Sequence, residues 1–362
     1  MKKIVTILGA RPQFVKAAVL SRIIARDNKI EEVIIHTGQH FDANMSAVFF
    51  REMEIPQPKY NLDINGLSHG AMTGQMLEKI EQVLLKEKPQ AIVVYGDTNS
   101  TIAGALAAKK LNIKVIHVEA GLRSYNMKMP EEINRILTDR ISDLLVCPTD
   151  TAVSNLRKEG FANLETNIVK CGDIMKDAVD FYGVTSAKKS TILSDLKLRR
   201  NEFVLATIHR QENTDDIKKL KSIFEGLEQV NNNCKVVLPL HPRTRKVLEK
   251  QHLSYSITTI APVGYFDMLE LLKHCKMVVT DSGGLQKEAF FNKKHCIIAR
   301  DETEWLELVE NGFASIVGSD TIEIMEAFQR FQHSTADFSL ELYGNNVGAQ
   351  IYTEIINLLN QN

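Results

Sequence analysis

The sequence predicts an α/β protein built from two Rossmann-like, doubly wound domains with a central cleft. Three observations predict this fold. The 362 residues exceed one ordinary domain of roughly 150 residues. Short β-branched runs alternate with amphipathic helical stretches along the chain, and the alternation restarts after a polar segment at 186–201. We predict domains at residues 1–171 and 172–345, and a final helix within 346–362 that packs back on the first domain.

The strands and helices follow one another in a regular order in both halves. Predicted strands of the first half cover 4–8, 33–37, 91–95, 115–118, 144–147 and 168–171, with helices over 71–86, 101–110, 131–141 and 151–159. In the second half strands cover 203–208, 235–240, 257–260, 277–280, 296–298 and 315–317, with helices over 217–230, 265–273, 285–291 and 321–332. Ligands of such sheets bind at the carboxyl ends of the strands, so residues that directly follow strands are the informative ones.

Composition excludes several classes of protein. Lys plus Arg (44) nearly equal Asp plus Glu (45), which argues against a nucleic-acid or membrane-surface binder. The apolar run at the N-terminus is too short for a signal peptide, and no stretch approaches the roughly 20 apolar residues of a membrane span. Five widely spaced cysteines predict reduced thiols in a cytoplasmic protein, and without a CxxC pair no metal site is expected.

The first motif, GARPQFVK at residues 9–16, follows the first predicted strand. Gly9 permits a tight turn, Pro12 suits the first position of a helix, and the N–H groups of a helix start attract anions. Arg11 and Lys16 add positive charge at this end, where the helix dipole disfavours cations, and we therefore favour a functional role over a solvent-facing pair. No GxGxxG pattern occurs at this turn, so no nicotinamide or flavin cofactor is expected.

Two acidic residues of the first half, Asp97 and Glu119, follow strands, and a third, Glu131, lies at a helix start. Asp97 also suits a helix cap, and Glu131 suits a helix first turn, so each has a structural alternative. Glu119 ends a buried strand and is harder to explain in that way. Glu131 and Arg135 are four residues apart and share a helix face. Three carboxylates at one edge of a sheet suit the removal and return of a proton at carbon.

The second half contains the clearest anion-binding pattern, TDSGGLQKEA at residues 280–289. A strand leads through Ser282, Gly283 and Gly284 into a helix, so backbone without side chains can approach a pyrophosphate. Glu288, one turn further on, suits the two hydroxyls of a ribose. A plain strand-to-helix turn with two glycines is the alternative.

Three further segments follow strands of the second half. His209, beside Arg210, suits hydrogen bonding to a phosphate and assistance to a leaving group, although a lone histidine is more often structural. Arg243 lies in a basic segment whose alternative is a solvated face. Tyr265 and Phe266 suit the binding of a flat base, and core aromatic side chains are the equal alternative.

In this order, the motifs GARPQFVK, GDTNST, HVEAGLR, PEEINR, HRQEN and TDSGGLQKEA resemble those of the non-hydrolysing UDP-N-acetylglucosamine 2-epimerase family over essentially the whole chain. The resemblance implies a GT-B-like pair of domains, a homodimer, a UDP-sugar substrate and no cofactor. The expected catalytic residues are Asp97, Glu119, Glu131, His209, Lys16 and Arg135. The expected UDP ligands are Arg11, Pro12, His209, Arg243, Tyr265, Phe266, Ser282, Gly283, Gly284 and Glu288. The expected sugar ligands are Asp97, Glu119, Arg123, Glu131 and Arg300.

The family reaction implies inversion at C2. The C2 proton leaves, UDP departs from C1, and UDP adds back to a 2-acetamidoglycal after protonation on the opposite face. The segments TGQHFDANMS, LPLHPRTR and RDETEW are similar to the branch that acts on UDP-2,3-diacetamido-2,3-dideoxy-glucuronate, whose products feed O-antigen and capsule polymers. A uronate needs an extra cation, for which Arg123 or Arg243 is predicted.

Other activities remain open from the sequence. A plain UDP-GlcNAc/UDP-ManNAc epimerase shares all of these motifs, and a hydrolysing epimerase or a GT-B glycosyltransferase shares the UDP-binding half. In bacterial members, segments matching 36–42 and 67–69 contribute to an allosteric UDP-sugar site. Phe41, Asp42, Ala43, Gly70 and Ala71 depart from that pattern, so we expect this activator site to be absent.

Overall fold

The computed structural model describes residues 1–39, 53 and 55–361, and it divides into two compact units. Unit 1 comprises Met1–Ala178 with Glu341–Asn362, and unit 2 comprises Val179–Leu340. Our sequence-based boundaries are 171/172 and 345/346. The structure places these boundaries at 178/179 and 340/341. The difference follows from local contacts, because Asp173 N donates to Tyr343 O at 2.8 Å and so ties both connecting segments to unit 1.

Unit 1 is a seven-stranded parallel sheet covered by helices. Its strands are β1 (Lys2–Leu8), β2 (Ile30–His36), β3 (Tyr60–Asn61), β4 (Ala91–Tyr95), β5 (Lys114–Val118), β6 (Leu144–Cys147) and β7 (Asn167–Lys170), in the order β3-β2-β1-β4-β5-β6-β7. Its helices are α1 (Arg11–Asp27), α2 (His69–Glu87), α3 (Asn99–Lys110), α4 (Pro130–Ile141) and α5 (Asp150–Lys158), with a 3₁₀ turn at Phe161–Asn163. The central strands are apolar and buried on both faces, as expected of a parallel sheet.

Unit 2 repeats this architecture with six parallel strands. They are β8 (Phe203–Thr207), β9 (Lys235–Pro239), β10 (Thr258–Ile260), β11 (Val278–Thr280), β12 (Cys296–Ile298) and β13 (Ala314–Ile316), in the order β10-β9-β8-β11-β12-β13. Helix α6 (Ile174–Lys189) contains the boundary between the units. It is followed by α7 (Ile192–Asp195), α8 (Gln211–Thr214), α9 (Ile217–Asn231), α10 (Pro242–Lys250), α11 (Tyr265–His274), α12 (Gly283–Phe291), α13 (Leu306–Glu310) and α14 (Thr321–Gln332).

Both sheets reverse their strand order at the same place. In unit 1 the reversal lies between β1 and β4, and in unit 2 it lies between β8 and β11. Such a topological switch point is where ligands of open α/β sheets bind. The loops that begin at Gly9, Gly96, Ile208 and Asp281 therefore hold the positions of greatest interest.

The last helix, α15 (Val347–Asn360), belongs to unit 1 and packs on α1. Gly348 allows the close approach, because a Cβ there would lie 2.7 Å from Val19 Cγ1 and 2.9 Å from Ile23 Cδ1. The Tyr352 hydroxyl donates to Asp27 Oδ2 at 2.5 Å at the end of α1. This helix therefore completes the helical layer on one face of the first sheet.

The carboxylate of Glu87 fastens the end of α2 to the edge of the sheet. It accepts hydrogen bonds from Tyr60 Oη (2.5 Å) and Lys3 Nζ (3.0 Å), and Lys59 Nζ lies 2.7 Å away. Hydrogen bonds from Lys59, Tyr60 and Lys3 lower the pKa of Glu87 from 4.5 to about 2. A lowered pKa contributes stability that is complete above pH 4.5 and is lost as the pH falls towards 2.

Replacement of this carboxylate is expected to destabilise unit 1 in a pH-dependent way. Glu87→Gln should lower the free energy of unfolding at pH 7 by about 2 kcal/mol, the scale of hydrogen bonds to a charged group. Thermal unfolding of the variant and the parent should converge as the pH approaches 2. Glu165→Gln, at an exposed position of the same unit, is the control. An unchanged melting temperature at pH 7 would contradict this account.

Three chain-wide features complete the description. Across the described residues, no helix combines the length and apolar character needed to cross a bilayer. All five cysteines are free thiols, and four of them are buried. Within the same described part of the chain, no group of three or more His, Cys, Asp or Glu side chains is arranged to hold a metal ion.

Candidate functional site

The turn after β1 is packed against the start of α3. A Cβ on Gly9 would lie 2.0 Å from Ser100 Oγ and 2.3 Å from Thr37 Oγ1, so only glycine fits. Gln13 Oε1 accepts the N–H groups of Gly9 (2.7 Å) and Ala10 (3.0 Å), and Gln13 Nε2 donates to Tyr95 O at 2.7 Å. Gln13, which the sequence analysis missed, thus joins the two loops of the switch point.

Part of the backbone at the first motif is not open to an anion. The N–H groups of Gly9 and Ala10, which directly precede α1, are satisfied by Gln13. Arg11 is half-buried and Pro12 is exposed at the helix start, so their side chains stay in a position to meet a ligand.

Lys16 and Glu119 form an ion pair at the same switch point. Lys16 is buried on α1, and its Nζ contacts Glu119 Oε2. Glu119 follows β5 and retains 14% side-chain exposure. Lys16 Nζ also lies 3.6 Å from the position that a Cβ on Gly96 would occupy. One ammonium group therefore lies beside Glu119 and the turn that precedes Asp97.

Asp97 has a charged partner of its own. Its carboxylate pairs with Arg135, whose Nη1 donates to Glu132 Oε2 at 2.7 Å. The alternative in which Asp97 caps α3 is wrong, because Thr98 is the N-cap residue and accepts from Thr101 N at 3.3 Å. The carboxylate of Asp97 is 30% exposed and can reach a ligand while it stays paired.

Glu131 and Glu132 differ in their surroundings. Glu131, the predicted acid, is half-buried in the first turn of α4. Glu132 is fully buried and accepts hydrogen bonds from Ser124 N (3.0 Å) and Tyr125 N (2.9 Å) as well as from Arg135. The sequence analysis missed Glu132, which fixes the loop before α4 and holds Arg135 towards Asp97.

The prediction that Arg123 contacts the sugar is not supported by its surroundings. Its guanidinium is fully buried and makes a bidentate pair with Glu159 (2.7 and 2.8 Å). Nη1 donates to Asp139 Oδ2 at 2.7 Å and to Leu122 O at 2.7 Å. Because the donors are directed at these groups, Arg123 organises the interior of unit 1 and is not available to a uronate.

In unit 2 one buried carboxylate joins the two loops of the switch point. Asp281 follows β11 and accepts the N–H groups of His209 and Arg210, each at 2.9 Å, and Asn213 Nδ2 at 3.1 Å. His209 Nδ1 lies 3.3 Å from the other oxygen of Asp281, and the imidazole is 38% exposed. Asp281, to which the sequence analysis gave no role, holds His209 and Arg210 in place.

Two guanidinium groups approach the start of α12. From the position of a Cβ on Gly283, Arg210 Nη2 and Arg300 Nη1 lie 3.7 Å away, and Glu304 Oε2 lies 3.4 Å away. Arg300 and Glu304 form a bidentate pair at 3.0 and 3.1 Å. Around Gly284 there is open space, Ser282 is half-buried, and Glu288 is buried one turn further on. A helix start with nearby cations is a favourable place for an anion.

The remaining predicted UDP ligands lie after β9 and β10. Arg243, in the first turn of α10, pairs with the exposed Asp215 at 2.5 Å. The rings of Tyr265 and Phe266 are 5% exposed and pack on Tyr182, with centroids 6.0 Å apart in each pair. The core alternative is therefore correct for both rings.

The structure thus describes an α/β protein with two Rossmann-like units, each with charged side chains at its switch point. Comparison with known proteins agrees with this class. The family model for UDP-N-acetylglucosamine 2-epimerase matches residues 22–356. A UDP-2,3-diacetamido-2,3-dideoxy-D-glucuronate 2-epimerase of Pseudomonas aeruginosa is 52% identical over 94% of this chain and 96% of its own length. A UDP-N-acetylglucosamine 2-epimerase of Methanocaldococcus jannaschii is 42% identical over 90% of this chain and 91% of its own length.

Solved structures give the same result. The crystal structure of the M. jannaschii UDP-GlcNAc 2-epimerase in complex with UDP-GlcNAc and UDP has a TM-score of 0.91 and 40% identity, covering 99% of this chain and 100% of that one. The Neisseria meningitidis enzyme bound to UDP-GlcNAc has a TM-score of 0.87 and 28% identity, covering 99% and 100%. The chain belongs to the UDP-N-acetylglucosamine 2-epimerase family. The predicted family, GT-B-like fold class and isomerase class are confirmed.

The expected absence of an activator site rests on two segments of the chain. Phe41, Asp42 and Ala43, on which the expected loss of an activator site rests, lie outside the described residues. His69, from the other segment, lies at the start of α2, where its Nδ1 is 3.3 Å from Asn99 Nδ2.

Proposed function

We propose that this chain is a non-hydrolysing epimerase that inverts C2 of a UDP-2-acetamido sugar by elimination and re-addition of UDP. The observation that carries the proposal is the pair of partly exposed carboxylates at the first switch point, each beside its own cation. Glu119 pairs with Lys16, and Asp97 pairs with Arg135. Inversion needs one group to take a proton from one face of the carbon and another to supply a proton on the opposite face.

The second unit supplies the other requirement of this reaction, a strong site for the leaving group. Arg210 and the start of α12 offer a cation and N–H donors to a diphosphate, and Arg300 lies beside them in its pair with Glu304. His209, fixed by Asp281, can donate a hydrogen bond to the same group. Stabilisation of departing UDP builds positive character at C1, which acidifies the C2–H bond.

For the substrate, we propose UDP-2,3-diacetamido-2,3-dideoxy-glucuronate. The support is the 52% identical relative with that name, together with the similarity of its branch to segments 37–46, 238–245 and 300–305. With Arg123 engaged in the interior, Arg243 is the remaining candidate for the uronate carboxylate, because its side chain is 34% exposed. Such a product would serve the synthesis of surface polysaccharides.

We further propose that the enzyme acts in the cytoplasm as a homodimer. Free, mostly buried thiols suit a reducing compartment. Ile133 and Leu137, 40% and 50% exposed on one face of α4, give an apolar surface that a second copy would cover.

Solvent hydrogen should enter the substrate at one carbon. When the protein is incubated with the UDP-sugar in D2O, proton NMR should show deuterium at C2 of the product and no net formation of UDP. A glycosyltransferase leaves C2 protonated, and a hydrolysing epimerase accumulates UDP and free sugar. A sample without protein is the control, and product that retains its C2 proton would contradict the proposal.

Substrate preference should follow the substituents of the sugar. Among UDP-sugars with and without a C3 acetamido group and a C6 carboxylate, the one that carries both should have the highest kcat/KM, by at least ~10-fold. Arg243→Gln should reduce the preference for the carboxylate, whereas Arg245→Gln, at an exposed position of the same helix, should not. Equal or higher kcat/KM for UDP-GlcNAc would identify the plain UDP-GlcNAc epimerase instead.

A further inference from the structure

One buried carboxylate binds the chain on both sides of Glu119. Asp139, on α4, is fully buried, and its Oδ1 accepts from His117 Nδ1 at 2.7 Å. Its Oδ2 accepts from Gly121 N at 3.1 Å and from Arg123 Nη1 at 2.7 Å. His117 lies two residues before Glu119 and Gly121 two residues after it, so a single side chain fixes both flanks.

The imidazole of His117 extends this connection to the other carboxylate. His117 is fully buried, and its Nε2 lies 2.7 Å from Gly96 O, directly before Asp97. Both ring nitrogens lie within hydrogen-bond distance of an oxygen atom, so the ring bridges Asp139 and the turn that precedes Asp97. Arg123 and Glu159 complete the cluster, since Arg123 pairs with both Asp139 and Glu159.

The charges of this cluster support each other. Burial alone would raise the pKa of Asp139, but the hydrogen bond and charge of His117 and the charge of Arg123 outweigh it and lower the pKa. Asp139 is therefore an ionised acceptor for all three of its donors.

Glu119 has a backbone conformation that needs such support. Its φ is +76°, in the left-handed region that costs a non-glycine residue of order 1 kcal/mol or more. The N–H groups of Glu119 and Ala120 both donate to Val146 O, at 3.1 and 3.0 Å, on one side of the turn. The hydrogen bond from Gly121 to Asp139 closes the other side.

We propose that Asp139 and His117 are positioning residues that hold Glu119 and Asp97 in their working geometry. The inference rests on the proposed function, because it assigns a purpose to the placement of the two acids. Neither residue needs to touch the sugar. Their effect is to keep one acid in a strained turn and the other at a fixed distance from it, through the hydrogen bond that joins the two side chains and their bonds to the backbone of Gly96 and Gly121.

Three variants separate positioning from general stability. His117→Phe/Asp139→Asn removes the link to Gly96 and leaves no unpaired buried charge in the cluster. We expect kcat to fall by ~100-fold, the scale of a misplaced catalytic group. Asp139→Asn alone should stay within ~10-fold of the parent, because its oxygen can accept from Gly121 and Arg123 while its amide N–H groups face His117 Nδ1. Glu159→Gln weakens the outer pair with Arg123 and should lower the melting temperature without a comparable loss of kcat.

UDP affinity is the second readout. It shows whether unit 2 still binds its ligand when kcat falls. Trp305 is the single tryptophan of the chain and lies in unit 2, so its fluorescence can report UDP binding in every variant. The double variant should bind UDP within ~2-fold of the parent while kcat falls. A kcat equal to that of the parent, or an equal loss in Glu159→Gln, would overturn the inference. Absence of C2 deuterium with the parent itself would instead refute the proposed function.

Discussion

Glu119→Gln is expected to lower the rate of C2 inversion by ~100-fold or more while UDP still binds. A glutamine has nearly the same shape but can neither take nor return a proton, and general acid–base catalysis contributes about 10²–10⁴-fold. The rate is measured from the NMR signal of the C2 proton. UDP binding is measured from the fluorescence of Trp305 in unit 2. Its side chain is 2% exposed, and Lys287 Nζ lies 4.5 Å from the centroid of its ring.

A matched exchange at a position outside the site gives the control for this result. Glu165→Gln makes the same chemical change at an exposed position of unit 1 and should leave the rate unchanged. Turnover near that of the parent in Glu119→Gln would remove Glu119 from the proposed acid–base groups. Asp97 and Glu131 would then be the remaining carboxylates for that role.

The second large effect is expected at Asp281 in unit 2. Asp281→Asn should weaken UDP binding by ~10-fold or more and lower the free energy of unfolding by about 3 kcal/mol. The reason is that a buried carboxylate accepts from His209 N, Arg210 N and Asn213 Nδ2. An amide would offer one oxygen to these donors and turn its own N–H groups towards them. Each hydrogen bond to a charged group contributes about 1.5–3 kcal/mol.

The two effects at Asp281 are measured separately. Calorimetric titration with UDP gives the affinity, and urea unfolding gives the stability. Asp337→Asn, at an exposed position of the same unit, is the control for the loss of one negative charge. If UDP affinity were unchanged in a folded Asp281→Asn protein, the loop that contains His209 and Arg210 would not belong to the UDP site.

Much of the fold could be predicted from the sequence because hydrophobic periodicity reports burial. Each of the twelve predicted strands overlaps an observed one, and the predicted helix 321–332 has the bounds of α14. Strand β3, Tyr60–Asn61, escaped prediction because two residues carry no alternation of apolar and polar side chains. The helix α6 also escaped; it starts just after the predicted boundary at 171/172 and ends within the polar segment 186–201.

The site was only partly predictable, for a physical reason. Position after a strand identified Asp97 and Glu119, and the structure gives each a cation. Spacing alone does not show which of two adjacent acids faces inward, and so Glu132 was missed beside Glu131. Arg123 carries the same charge whether it meets a ligand or a buried carboxylate, and the distinction depends on Asp139, sixteen residues away.

Gln13 and Asp281 were missed for a related reason. Each joins two loops that are about 70 or more residues apart in sequence, Gln13 through Tyr95 and Asp281 through His209. Contacts at such separation are created by the sheet order, which local patterns do not contain. Residues that follow strands are therefore easier to single out in a sequence than the residues that hold them in place.

The position of α15 has a consequence for how the protein is made. A ribosome releases residues 179–340 before residues 347–360, so the second unit has all of its strands and helices while the first still lacks one helix. Val19 and Ile23 stay exposed until that helix has been synthesised and packs on them. During this time they form an apolar surface that chaperones and other nascent chains can bind. Although it starts first, the N-terminal half is completed last.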